Sequence, residues 1–193
     1  KTLMRWAAGI LGKAGKKITQ RDMELLLTKT GTDMGNLRME MEKLISYTEG
    51  RDVVTAEDIE EICTTQTTNR IFDMVRAVTE KNQKRALELY YDLLTLKEPP
   101  MRILFLLAKQ YRQLLLAKQF AAAGLAQTEI ASKLGVPGFV VKNITTCARA
   151  YTISELEQAV KDFVDAEESV KTGRLEDKLS VELLIIKYSS KVK

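Results

Sequence analysis

Residues 98–124 read EPPMRILFLLAKQYRQLLLAKQFAAAG, and this stretch decides the fold. Pro99 and Pro100 suit the first turn of a helix, where the missing N–H would have no intrahelical partner anyway. Gly124 stops the helix. Between them, from Met101 to about Ala123, Ile103–Ala108 and then Leu114–Ala117 exceed the single apolar stripe of an ordinary surface helix. A helix apolar over most of its circumference has to be enclosed, within its own domain or against a partner. The rest of the chain agrees with a helical protein. Leu, Ala, Lys and Glu dominate, all good helix formers, and three prolines in 193 residues leave room for long helices.

Toward the N-terminus, Leu3, Trp6, Ala7, Ile10 and Leu11 follow helical spacing, and Gly15 with Lys16 and Lys17 closes that helix, the cations facing its dipole. Thr19 caps a second helix over 20–30 with Met23, Leu26 and Leu27 inward. Asp33 caps a third, roughly 34–48, on the stripe Leu37, Met41, Leu44 and Ile45, with Gly50 beyond its end. Thr55 and Asp58 form a capping-box pattern that opens a short helix to Cys63. The polar, uncharged run TTQTTN (64–69) reads as a linker. Two helices follow, 71–79 and 81–96. Beyond the long helix, 127–134 ends at Gly135, Pro137 opens a helix to about Ala150, Ser154 with Glu157 caps one running to Gly173, and a last helix covers about 176–190. No strand alternation persists. The expectation is an all-α chain of two parts, a small bundle (residues 1–65) and a larger helical domain (residues 66–193).

Charge and chemistry exclude much. The net charge of +4 divides into −1 over residues 1–65 and +5 over 66–193, an excess that permits contact with nucleic acid without requiring it. There is no histidine, so imidazole-based acid–base catalysis is ruled out. Cys63 and Cys147 stand apart in apolar helical settings and belong to no CxxC, which fits reduced buried thiols and leaves no zinc-ligand pattern. Neither GxxxxGK[ST] nor GxGxxG occurs; GILGKAGKK (9–17) has no Ser or Thr after Lys13 and sits at a helix end. Glu60–Glu61 and Glu167–Glu168 lie on solvated helix faces with nothing to desolvate them. No cofactor, metal or catalytic residue is expected, and no apolar run is long enough to span a membrane. The first residue is Lys1, with a helical pattern already under way, so we expect a piece of a longer protein.

Two constellations point toward nucleic acid. TEIASKLGVPGFVVKN (128–143) imitates a helix-turn-helix, yet the second helix begins Pro137, Gly138, Phe139, Val140, Val141, leaving only Lys142 and Asn143 to reach a base edge. That apolar start suits packing against a neighbouring helix. Lys81, Lys84, Arg85, Arg102, Lys109 and Arg112 gather along the middle of the chain, with Arg102 and Lys109 seven apart on one helix face. They form either a phosphate-facing surface, for which Lys81, Lys84, Arg102 and Lys109 are the candidates, or an ordinary solvated face.

Taken in order, the run GTDMGNLRMEMEKLISY (31–47), VVTAEDIEEI (53–62), NRIFDMVRAV (69–78), KRALELYYDLL (84–94), EPPMRILFLLAKQYRQLLLAK (98–118), IASKLGVPGFVVKNITTCAR (130–149) and VKTGRLEDKLSVELLI (170–185) resembles the delta subunit of bacterial DNA polymerase III. The resemblance covers essentially the whole chain. It implies a cytoplasmic, non-catalytic clamp-loader subunit with an ATPase-like N-terminal domain, absent here, that carries the clamp-opening element. Residues 1–65 would be its helical lid and 66–193 its collar. The collar would assemble with the ATPase (tau/gamma) and delta-prime subunits, meet the sliding clamp only through the missing domain, and touch primer-template DNA weakly and without sequence preference. Assembly asks for helices with a second apolar face. The long and final helices supply the candidates Phe105, Leu106, Leu114, Leu115, Leu184, Ile186 and Tyr188, each equally suited to its own domain's core. The alternative is a helix-turn-helix DNA-binding regulator; a helical enzyme with a carboxylate site finds no supporting residues.

Overall fold

The computed structural model describes residues 2–65 and 67–190, and within them eleven helices and one pair of two-residue strands. In the stretch expected to be a linker, Gln66 lies outside the described residues, and a helix already begins at Thr67. The chain divides between Asn69 and Arg70 into two units, each with its own core.

In the first unit, α1 (Thr2–Lys13), α2 (Gln20–Thr30), α3 (Met34–Tyr47) and α4 (Ala56–Ile62) enclose Leu11, Leu26, Leu37, Met41, Leu44 and Ile59, all fully buried. The caps act as the sequence requires: the Thr19 side chain accepts from the Asp22 N–H, Asp33 from Asn36, and Thr55 from Asp58. The strand pair is an addition to the sequence reading. β1 (Lys17–Ile18) runs parallel to β2 (Val53–Val54), with Lys17 opposite Val53 and Ile18 opposite Val54. Strands of two residues carry no readable alternation. Lys16 departs from its expected place at the end of α1. Gly15, at φ +73°, turns the chain, and the Lys16 Nζ donates instead to the Thr48 and Arg51 carbonyls beyond α3, both at 2.6 Å. It satisfies carbonyls at the wrong helix's end, and so ties the two strand-bearing loops together.

In the second unit, α5 (Thr67–Thr79) and α6 (Gln83–Thr95) precede α7 (Pro100–Ala122), with Pro99 at its N-cap, Pro100 in its first turn and Gly124 beyond its end at φ +80°. The other elements are α8 (Gln127–Leu134), α9 (Gly138–Ala148), α10 (Ile153–Lys171) and α11 (Asp177–Ser189). The central helix α7 packs against α8, α9, α10 and α11 and buries Ile103, Leu104, Leu107, Tyr111, Leu114 and Ala117. Each large apolar side chain so enclosed contributes about 1.5–3 kcal/mol relative to exposure. The start of α10 differs from the sequence reading. Thr152, not Ser154, is its N-cap: Glu155 N–H donates to the Thr152 hydroxyl at 3.1 Å, and Thr152 N–H donates to the Glu155 carboxylate at 2.6 Å. Both positions begin an S/T-x-x-E pattern. Burial decides between them, because Tyr151 before the cap and Leu156 in the first turn both enter the core, where a hydrophobic staple sits only if the helix starts at Ile153.

Asp58 is the most heavily used carboxylate of the first unit. It is 5% exposed, accepts from the Thr55 N–H at 2.9 Å and pairs with Arg51 at 2.9 Å. Burial works to raise its pKa, but hydrogen bonds from Thr55 and Arg51 outweigh it and hold the carboxyl below its ordinary range. Its contribution is therefore present above the usual carboxylate pKa and is lost as pH falls through the depressed value. Asp58→Ala should destabilise this unit by about 1–2 kcal/mol at neutral pH, and the penalty should shrink as the pH is lowered below about 4, both measured by urea unfolding.

Candidate assembly surface

The last helix is apolar on two sides. Val181, Leu184, Ile185 and Tyr188 of α11 are buried in the core of the second unit. On the other side Leu179, Leu183 and Ile186, spaced i, i+4 and i+7, are 42%, 48% and 39% exposed. At 100° per residue those three share one narrow face. Beside them stands Tyr91 of α6, half exposed, its hydroxyl donating to Glu182 at 2.9 Å. The result is an apolar stripe with a polar margin, open to solvent.

The seat of α11 is built from polar contacts at both ends and an aromatic group beneath. Tyr90 Oη donates to the Lys178 carbonyl at 3.0 Å in the first turn. At the other end Lys81 Nζ donates to the Tyr188 carbonyl at 3.0 Å and lies 5.6 Å from the Tyr151 ring centroid. Lys81 does so from φ +57°, a left-handed conformation costing a non-glycine residue about 1–2 kcal/mol, which these contacts offset. Asp162 of α10 receives the Tyr188 hydroxyl, Lys187 at 2.5 Å and Gln158 at 2.9 Å. Beneath, Tyr111 of α7 has Phe163, Tyr188 and Tyr151 around it at 5.0, 5.5 and 5.9 Å between centroids, and its hydroxyl meets that of Tyr151 at 3.1 Å. Tilted aromatic pairs of this kind add about 0.5–1.5 kcal/mol each beyond area burial.

Burial drives the Tyr111 hydroxyl far above its ordinary pKa and Tyr151 to about 12; burial and the Asp162 carboxylate together raise Tyr188. Asp162 moves the other way. Its partial burial favours the neutral acid, but the hydrogen bonds from Lys187, Tyr188 and Gln158 prevail and keep it ionised to lower pH than usual.

The structure redistributes the residues singled out from sequence. Leu114, Leu184 and Tyr188, named as subunit-facing, lie in the core of their own unit, because helical rotation turns them inward from the apolar runs that suggested them. Leu106 and Leu115 are half-buried against that core. Phe105, 61% exposed, and Ile186 remain at the surface. Leu179 and Leu183 complete the α11 face; Leu179 was missed although the 179, 183, 186 spacing carried the signal. Of the four phosphate candidates, Lys81 is committed to Tyr188 and Tyr151. Lys84 is exposed in the first turn of α6, whose main neighbour is α11. Arg102 pairs with Glu98 at 3.1 Å and stays exposed, and Lys109 is exposed on the same helix. In the helix-turn-helix look-alike, Gly135 makes the turn at φ +65°, but α9 spends Val141, Ile144, Cys147 and Ala148 on the core. Glu60, Glu61, Glu167 and Glu168 are occupied by Lys29, the Tyr47 hydroxyl, Lys171 and Arg174. Among the described residues no group of three or more His, Cys, Asp or Glu is placed to hold a metal, and no helix is long and apolar enough to cross a membrane.

Residues 68–188 match the family described as DNA polymerase III delta subunit, C-terminal domain. The DNA polymerase III subunit delta of Bacillus subtilis is 28% identical over 171 residues, which is 89% of this chain and 49% of that protein. A probable DNA polymerase III subunit delta of Aquifex aeolicus is 22% identical over 129 residues, 66% of this chain and 37% of that protein. The chain thus spans about half or less of these relatives. The solved structure of the Bacillus subtilis DNA clamp loader delta protein (YqeN) superposes with a TM-score of 0.86 at 25% identity, over 98% of this chain and 56% of the other.

The raised tyrosines stabilise the fold fully below about pH 10, the unfolded value, and that contribution is lost as pH rises through the folded values. In an alkaline titration followed at 295 nm, Tyr111 and Tyr151 should ionise only together with loss of helical ellipticity. Reversible titration of all six tyrosines near pH 10 with the helix signal intact would contradict the geometry.

Proposed function

Because the chain belongs to the family of DNA polymerase III delta subunits, through the C-terminal domain of that family, we propose that it supplies the assembly part of a bacterial clamp loader and performs no reaction with its own side chains. The observation that carries this reading is the solvent-open stripe Leu179, Leu183 and Ile186 on a helix whose opposite side is fully used. Exposed apolar side chains aligned on one rigid face, with a polar margin, suit a protein partner. In this reading the second unit is the collar, the first is the lid, and the stripe seats a neighbouring ATPase or delta-prime subunit. The subunit works in the cytoplasm, where the loader meets DNA. The sliding clamp is assigned to no residue of this chain; in the relatives' length there is ample room for a further domain to carry it.

The direct polar support under α11 matters to this function. A docking helix has to present its stripe without rearrangement, or the ordering cost is subtracted from affinity. Tyr90, Lys81 and Asp162 fix both ends of α11, and the rings around Tyr111 fix its depth.

Leu183→Glu places a charge in the stripe at a side chain that is 48% exposed and outside the buried core of its unit. It should weaken co-elution with the separately purified ATPase and delta-prime subunits by about 30-fold or more, an interface-centre effect of about 2 kcal/mol or greater, with the melting temperature unchanged. Unaltered complex formation by Leu183→Glu on a sizing column with light scattering would remove α11 from the assembly.

A further inference from the structure

One face of the molecule is left unexplained by assembly through α11. On α7, Arg102, Phe105, Lys109 and Arg112 are all exposed. Their spacing (i, i+3, i+7 and i+10) gathers them within about 80° of arc, opposite the buried side that holds Leu104, Leu107, Tyr111 and Leu114. The helix contains no acidic residue between Pro100 and Ala122, whereas α10 carries Glu155, Glu157, Asp162, Asp165, Glu167 and Glu168. Charge is therefore segregated by helix, and the basic character of α7 is not a general property of the surface. Its fourth cation, Lys118, is turned away and donates to the Ala148 carbonyl at 2.9 Å. Glu98, one turn before Arg102 on the same line, pairs with it, while Lys109 and Arg112 form no ion pair with another of the described residues.

Phe105 is the most exposed large apolar side chain of the described residues, at 61%. It stands between Arg102 and Lys109; Leu116, the next apolar side chain along that face, is partly buried. Among the described residues of the face Phe105 alone is therefore an exposed apolar group, short of the cluster a protein hot spot needs. An isolated aromatic ring flanked by cations at intervals of one helical turn is what an unpaired nucleotide segment requires: a platform for one base and charges for the phosphates on either side. The geometry points to the Arg102–Phe105–Lys109–Arg112 face of α7 as a seat for single-stranded DNA, with Phe105 stacking on a base and Lys109 and Arg112 holding its backbone. The choice of DNA over RNA rests on the family reading; the seat itself rests on charge and exposure.

The test is fluorescence anisotropy of the full chain with a labelled single-stranded oligo(dT) of twenty nucleotides and with a duplex of equal length, across a salt series. Phe105→Ala should weaken single-strand affinity about 5- to 150-fold, the range for losing one stacked base, and leave duplex affinity unchanged; Phe105→Trp should restore it. Lys109→Gln and Arg112→Gln should each lower the slope of log affinity against log salt by about 0.7, one phosphate contact on a single strand. All four side chains are exposed, so folding is preserved, with ellipticity as the check. Single-strand binding that is absent, or unmoved by Phe105→Ala and by both Gln variants, would overturn the inference. So would a Phe105→Ala chain that keeps its single-strand affinity but no longer co-elutes with the loader subunits, since the face would then serve a protein. A chain that co-elutes normally yet ignores oligo(dT) sinks this seat and leaves the assembly reading standing.

Discussion

The enclosure of α7 is the constraint on which the second unit depends. A helix of 23 residues with Ile103, Leu104, Leu107, Tyr111, Leu114 and Ala117 turned to one side cannot stay in water, and α8, α9, α10 and α11 are arranged to cover it. Tyr111 lies at the tightest point of that arrangement. Its ring meets Phe163 of α10 and Tyr188 of α11, and its hydroxyl finds Tyr151 just before α10. Through this one side chain the depth of α10 and α11 on α7 is set. What remains open after the enclosure, the outward stripe of α11 and the outward face of α7, is available for other molecules.

Those two faces differ in chemistry, which is why they are assigned different partners. The α11 stripe is three aliphatic side chains with a tyrosine at its margin, suited to another protein surface. The α7 face is three cations around a single ring, suited to a polyanion with stackable bases. In the proposed function the subunit both joins a ring and handles DNA, and the two surfaces answer those two needs. Rigid helices let it keep them apart.

Much of the fold was legible because helices announce their ends. Thr19, Asp33, the Thr55–Asp58 box, Pro99–Pro100, Gly124 and Gly135 each fixed a boundary by local chemistry. The all-helical class followed from them. Long-range choices were not legible. Two equivalent capping patterns preceded α10, and only the burial of Tyr151 selected Thr152. Lys16 could cap its own helix or α3, and the turn at Gly15 chose α3. The two-residue strands are too short to leave a pattern. The candidate surfaces were half legible for the same reason: an apolar run such as Val181–Ile186 states that a helix is apolar all round but not which side its own domain claims, so Leu184 and Tyr188 were drawn outward with Ile186. Lys81 looked like a free cation because nothing local reveals a partner 107 residues away in sequence.

The most direct measurement of the central claim is amide hydrogen exchange on the chain alone and in the presence of the separately purified ATPase and delta-prime subunits. The account predicts added protection over Asp177–Ser189 and the facing part of α6 around Tyr91, with α8 and α9 unchanged. Protection confined to α8 and α9, or none in α11, would contradict assembly through the last helix.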